Sequence, residues 1–499
     1  MSQGDDAMNP IQIAEETYRD KVYACWLGKN IGGTLGTPHE GDKSVHELTF
    51  YDPVPTEPLP NDDLDLQLVW LQMLRERGVH PSVSDFADYW IKHLGPYPWN
   101  EYGFCRRNLD RGLRPPISGC YDNYYIDEMG SPIRSEIWAC AAPGDPGLAA
   151  ALAWNDAVLD HAGGEGVHGE MFWAALESAA FIVSDPLDLI RIGLAMIPVH
   201  SLISRAVRDA LWLHENGVEW AEARERIVRD FGHFWPCNAA QNHGFTIIGW
   251  LYGEDFGDRL CKAVNCGYDT DCTGATLGAL LGIIGGTAAI PDEWREPVGE
   301  GIVLHKFTED LQAPTDIAEL TEQTVEVGKR MLVERSTVSD IAEQTVVPDD
   351  ALTLLSDNTQ ALSALQQDPQ SAIETVDGYD IALHYGGEPV LRPGIGKTVG
   401  VSVRRGSEVM SGRIELDAPD GWTVMMAGEA FGQQRFALRA GDVADENRLT
   451  VRVKVDGREL QASYLMLGPG AAPGYPCGVQ VPKCPNCHAR LESCICSKS

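Results

Sequence analysis

The stretch "VNCGYDTDCTGATLGALLGIIGG" constrains this chain more than any other. Two aspartates, Asp269 and Asp271, flank one threonine, and the segment from Gly274 to Pro291 carries no charge. Gly274, Gly278, Gly282 and Gly286 recur every fourth residue. On a helix that spacing lines them up as a flat ridge, which a second helix can approach closely. The uncharged run falls short of the roughly 20 residues of a membrane span and is rich in glycine, so it predicts a buried helix of a soluble protein. At its mouth, Asp-Thr-Asp brings two carboxylates together. Their repulsion is relieved by a cation between them, and in part by the free N–H groups of a helix N-terminus. Taken alone, the motif fits a solvated acidic turn or a seat for a hard divalent ion such as Mg²⁺, Mn²⁺ or Ca²⁺.

A second acidic cluster opens another helix, "LPNDDLDLQLVW". Asn61 has the chemistry of an N-cap, and Asp62 and Asp63 then fall in the first turn. Carboxylates at a helix start are routine, so this cluster by itself is ordinary capping. Leu64, Leu68, Leu71 and Met73/Leu74 follow at helical spacing, ending in "RERG".

From about residue 11 to 335 the periodicity is helical throughout, with Pro-, Gly- and aromatic-rich loops such as "HLGPYPWNEYGF" and "LRPPISGCYDNYY" between helices. Long irregular loops in a compact helical domain are where sites tend to lie. Residues 336–376 are Gln- and Asp-rich with short helical patches and read as a connector. From 377 to 470 the period falls to two, in short runs such as "KTVGVSVRRG" and "RLTVRVKVDG", which predicts a small β-sandwich. The chain therefore reads as multidomain, an all-α body followed by an all-β one, with a cysteine-dense tail at 471–499. In that tail Cys484-x-x-Cys487 and Cys494-x-Cys496 have the spacing of a structural four-cysteine zinc site.

The 39 basic and 73 acidic residues give a formal charge of −34. Such a field repels phosphate backbones and anionic membranes, so no general nucleic-acid or membrane binding is expected. The N-terminus lacks the basic start and apolar core of a secretory signal, and thirteen cysteines without one suggest reduced thiols; cytoplasm is the expected compartment.

Together "NDD" and "DTDCTGA" resemble the paired signatures of the ADP-ribosylglycohydrolase family. The resemblance extends through about residues 15 to 310 in the right order. "CWLGKNIGGTLGTPHEG" resembles the family's opening helix and its "GDALGxPxE" segment, with Gly32, Leu35, Gly36, Pro38 and Glu40 matching. "GSPIRSEIWACAAP" resembles the ligand loop "GxxMRxxP", and "AWNDAVLDHAGGEGVHGEMFWAALESAAF" resembles the Ala-rich helices with a histidine, here His161, at their junction.

That resemblance implies an all-α fold holding two divalent cations, Mg²⁺ or Mn²⁺, between the two acidic motifs. It implies Asp62, Asp63, Asp269 and Asp271 as metal ligands, with Asn61 and Thr273 completing the shells. It also implies hydrolysis at the anomeric carbon of an ADP-ribosyl group, small or protein-linked. Glu40 would be the acid/base or water-orienting group beside Asp63 and Asp271, and Gly130, Ser131 and His161 would lie near the substrate. The sequence departs from the family in three places. Asn61 stands where a threonine is common, Cys272 where a threonine or serine is, and Gly33 where "GDALG" has its aspartate. Arg134 is expected to pair with Glu136, and His233, Asn238, Asn242 and His243 to be satisfied polar groups near a helix start. The strands around "SGRIELDAPDGWTV" resemble immunoglobulin-like accessory domains beside sugar-acting enzymes, which points to glycan or protein contact. Two other functions stay open: hydrolysis of a nucleoside or other furanoside, and a non-catalytic binding or structural role.

Overall fold

The computed structural model describes residues 10–95 and 100–471. Its helical part is organised around one helix pair. The opening helix Glu15–Gly36 runs against the glycine helix Thr270–Gly285, and both are buried along most of their length. Ala24, Gly28, Gly32 and Gly36, also spaced by four, face Gly282, Gly278, Gly274 and Thr270. A methyl group on Gly28, Gly32 or Gly36 would overlap the backbone carbonyl of the residue opposite, as would one on Gly274, Gly278 or Gly282. The ridge that the sequence predicts is thus two ridges, one on each helix.

The helix Asp62–Arg77 begins where the capping chemistry places it. Asn61 Oδ1 accepts a hydrogen bond from the Asp63 N–H at 2.8 Å. The helix is buried on every face from Asp63 to Leu74 rather than along one stripe, and its polar residues after Asp63 find partners inside. Asp65 accepts from the His305 N–H and the Thr308 hydroxyl. Gln67 donates to Glu136 and accepts from the Ile137 N–H. No helix among the described residues is long and apolar enough to cross a membrane.

Residues 336–376 are not a free connector. Ser339–Ala342 pairs in parallel with the first strand, Ile11–Ala14, and so joins the start of the chain to the end of its helical part. Leu354, Leu355, Ala361 and Ala364 on two short helices are buried in the helical core, and Asn358 donates to the Ala195 carbonyl. Ser371–Val376 is already a strand, so the β region begins there and not at 377.

The β region contains two sheets. The larger runs in the order 371–376, 379–384, 397–405, 433–440, 422–430; the smaller in the order 458–467, 446–455, 413–417. All the pairings along these paths are antiparallel. Ile381, Val399, Val401 and Leu438 of one sheet share a buried cluster with Leu449, Val451, Val453 and Tyr464 of the other. The Tyr464 hydroxyl donates across to the Ile381 carbonyl at 2.6 Å. Leu113 and Ile117 from the helical part enter the same cluster, and Arg114 pairs with Glu374 at 3.3 Å. The tail expected to bind zinc through Cys484, Cys487, Cys494 and Cys496 lies outside the described residues, as does Trp99.

Candidate functional site

The two acidic motifs, more than two hundred residues apart in sequence, open into one cavity of about 170 Å³. Asp62 reaches it from the start of its helix, while Asp269 and Asp271 come from the start of the glycine helix. Asp269 is the residue before that helix, yet its side chain makes no capping bond. Glu40 arrives on a loop that follows the short turn Thr37–His39. The next residue, Gly41, has φ +84°, a left-handed conformation that suits glycine. Its N–H then donates to the Tyr268 carbonyl at 2.8 Å, while the Tyr268 N–H donates to the Asp42 carbonyl at 2.7 Å. The Glu40 loop is therefore stitched to the segment that carries Asp269.

Both carboxylate oxygens of Asp63 and of Asp269, and one of Asp271, are buried without a hydrogen-bond partner among the described residues. These residues are 0 %, 1 % and 7 % exposed. Burying an ionised carboxylate without a partner costs several kcal/mol, so the arrangement is poised for cations. Ligand atoms of Glu40, Cys237 and Asp269 lie within 4.8 Å of one another, and so do those of Asp63, Asp271 and Cys272.

The electrostatics agree. Burial, followed by the charge of Asp63, pushes the Asp62 carboxyl up to about 8. Glu40 is exposed as a residue, but its carboxyl turns under the rim. Burial there, with Asp269, Asp62 and Asp63 facing it, pushes it up to about 8. Asp269 and Asp271 are held well above the carboxylate range by burial and by their acidic neighbours. One cation stands behind the cluster. Lys29, fully buried, donates to Glu136 at 2.8 Å and to the Ile133 carbonyl at 3.0 Å, and its charge opposes the effect of burial on Asp63.

The remaining expected residues divide. Gly130 lines the cavity, but Ser131 turns away and donates to Glu170 in the interior. His161 is buried behind the wall, with Nδ1 2.9 Å from Asp160 and Nε2 4.0 Å from Glu101. The Thr273 hydroxyl folds back onto the Thr270 carbonyl of its own helix, and the neighbouring Cys272 lines the cavity instead. Asn61 spends its oxygen on the helix cap and is not part of the lining. Its amide nitrogen lies against Gly33, where a Cβ would overlap it. The departures at 33 and 61 thus lie in contact, and a side chain at 33 would need the Asn61 amide to move.

Arg134 does not pair with Glu136, which binds Lys29 and Gln67. Its guanidinium instead grips Asp156 and Asp160 at 2.8 to 3.0 Å and donates to the Gly130 carbonyl at 2.7 Å, fixing the cavity wall. Asn242 accepts from the Asp269 N–H at 3.4 Å and donates to the Pro236 and Asn238 carbonyls. His243, with Nδ1 2.7 Å from the Ala239 carbonyl, stacks on Trp173; burial pushes it down to about 4. Trp138 is a core residue whose indole N–H donates to Glu170 at 2.9 Å.

Glu101, Tyr102 and Cys237 also line the cavity and were not singled out by sequence. Tyr102 donates to the Gly130 carbonyl at 2.9 Å. Glu101, pushed up to about 7 by burial against the opposing charge of His161, occupies the space that a side chain at Gly130 would fill. Glu101 and Tyr102 fall in the stretch "HLGPYPWNEYGF", which the sequence reads as a loop but which is helical from Asn100 on.

An uncharacterized protein of Archaeoglobus fulgidus is 24% identical over 317 residues, covering 60% of this chain and 95% of that protein. A solved structure described as an ADP-ribosylglycohydrolase-related protein complex aligns with a TM-score of 0.42 at 20% identity, covering 63% of this chain and 99% of that one. The ADP-ribosylglycohydrolase family matches residues 14–328, the span that carries every element of the cavity, and the chain belongs to that family of glycosidic-bond hydrolases.

Proposed function

We propose that this chain hydrolyses the bond joining the anomeric carbon of an ADP-ribosyl group to its leaving group, with divalent cations seated between the two acidic helix starts. The observation that carries the reading is the set of buried, unpartnered oxygens of Asp269 and Asp271 lining one cavity, with those of Asp63 directly beside Asp271. Oxygen donors of that charge and number fit divalent ions, and without them the cluster is destabilising. Asp62, Asp63, Asp269 and Asp271, with Glu40 at the rim, would hold them. The ions supply a Lewis-acid centre that orients the sugar and favours a nucleophilic water.

The chain's own groups do the rest. Glu40, on its tied loop, orients the water and accepts its proton as the new C–O bond forms. Glu101, backed by His161 and Asp160, faces the cavity from the opposite wall and is placed to protonate the departing group. Gly130 keeps room for that carboxyl. At about 170 Å³ the cavity suits a pentose, so the rest of a larger ligand would extend over the rim.

A second reading, a neutral nucleoside or other furanoside substrate, is favoured by one observation: no lysine or arginine lines the cavity among the described residues. The test is release of free ADP-ribose from ADP-ribosyl-arginine and ADP-ribosyl-serine, and of ribose from nucleosides, with divalent ions or with chelator. Chelator-sensitive ADP-ribose release that is lost in Asp269→Ala supports the first reading, ribose release from nucleosides alone the second, and no hydrolysis of any of them contradicts both.

A further inference from the structure

Each of the two groups of candidate ligands contains one cysteine, Cys272 beside Asp63 and Asp271, and Cys237 beside Glu40 and Asp269. Magnesium is poorly served by sulfur, whereas zinc, cobalt and iron favour it. We propose that the seat takes a thiophilic transition-metal ion with Cys272 as a sulfur ligand, and that Cys237 offers a second sulfur at the rim. This inference rests on the reading of the cavity as a metal centre.

Four observations converge on it. Ligand atoms of Cys272, Asp63 and Asp271 lie within 4.8 Å of one another. Both oxygens of Asp63 and one of Asp271 accept no hydrogen bond among the described residues, so oxygen donors stand beside the sulfur. The two neutral oxygens within reach in sequence are turned elsewhere, Thr273 onto its own helix and Asn61 onto its cap. Several other cysteines have structural partners: Cys105, Cys120 and Cys266 donate to backbone carbonyls. Cys237 and Cys272 face the cavity instead.

The Thr273 hydroxyl is held on the Thr270 carbonyl of its own helix, so of the pair Cys272 and Thr273 it is Cys272 that lines the cavity. The glycine ridge on that helix locks its rotation against the opening helix, so the register is not free to adjust.

The probe is Co²⁺, added to chelator-treated full-length protein under reducing conditions and followed by sulfur-to-metal charge transfer in the near ultraviolet. The signal is read as a difference between wild type and variant, because the tail cysteines are present in both. The expected result is a band, and one cobalt ion, that wild type has and Asp271→Asn lacks. The same band should disappear in Cys272→Ser and weaken in Cys237→Ser. In competition, Zn²⁺ should displace this cobalt far more effectively than Mg²⁺, and Cys272→Ser should narrow that preference by roughly tenfold or more. If Asp271→Asn loses an ion while Cys272→Ser and wild type give identical spectra, the sulfur ligand is overturned and the metal centre stands. If Asp271→Asn binds as many ions as wild type, the metal centre falls and the inference with it.

Discussion

Gly32 and Gly274 meet backbone to backbone, so that a methyl group on Gly32 would overlap the Gly274 carbonyl. Since only backbone stands opposite, nothing flexible can yield. Gly32→Ala therefore has to push the two helices apart, at a cost of about 3 kcal/mol in chemical denaturation. This outweighs the roughly 1 kcal/mol that alanine gains in helix propensity. Because the same helix pair positions Asp269 and Asp271, hydrolytic activity should fall more than the loss of folded protein explains. Unchanged stability would show that the pair is not locked.

Lys29 is the cation that makes the acidic cluster tolerable from behind. Lys29→Met leaves Glu136 buried near Asp63 with no cation, keeping its hydrogen bond from Gln67, and should cost about 3 to 5 kcal/mol. The double variant Lys29→Met/Glu136→Gln should recover a substantial part. A double-mutant cycle by urea denaturation reads the coupling, and strict additivity would rule out the pairing.

Glu101 gives a pH signature. Burial lifts its carboxyl from 4.5 to about 7 in the folded chain. Between those values the folded state holds a proton that the unfolded state has released, so this group's contribution is full below 4.5 and is lost as pH rises through 7. Glu101→Gln removes the loss. Relative to wild type, the variant should gain about 3 kcal/mol of stability on going from below pH 4.5 to above pH 7. Parallel stability curves would contradict this.

Asp271→Asn separates a working site from a structural one. In metal-free protein it should raise stability, because it relieves repulsion from Glu40, Asp62 and Asp63. Wild type should be stabilised by about 2.7 kcal/mol per site when a divalent ion is present at a hundred times its dissociation constant. The variant should lose most of that gain. Thermal denaturation with and without metal measures both.

Much of this was legible in sequence. Asn61 as a cap, the Asp-Thr-Asp step and the glycine spacing each follow from local rules, and the site sits where two such rules meet. The partners of Arg134 were not legible, because Asp156 and Asp160 reach it only once the chain has folded back. Glu101 carries no motif and is brought to the cavity by the first turn of the helix Asn100–Asp110. Cys272 and Thr273 stand at adjacent positions, and the choice between them is made by the Thr273 hydroxyl's bond to the Thr270 carbonyl, which spacing alone leaves open. Residues 336–376 have a linker's composition, but the few apolar residues they carry, such as Leu354 and Leu355, are the ones that fold onto the helical core.

The central claim is that two helix starts, brought together by facing glycines, form a cation seat. Its most direct test is the metal content of the purified chain after equilibrium dialysis against divalent ions, compared with a variant carrying Asp63→Asn and Asp269→Asn. The account predicts about two ions per chain beyond those the variant retains. Equal metal content in the two proteins would contradict it.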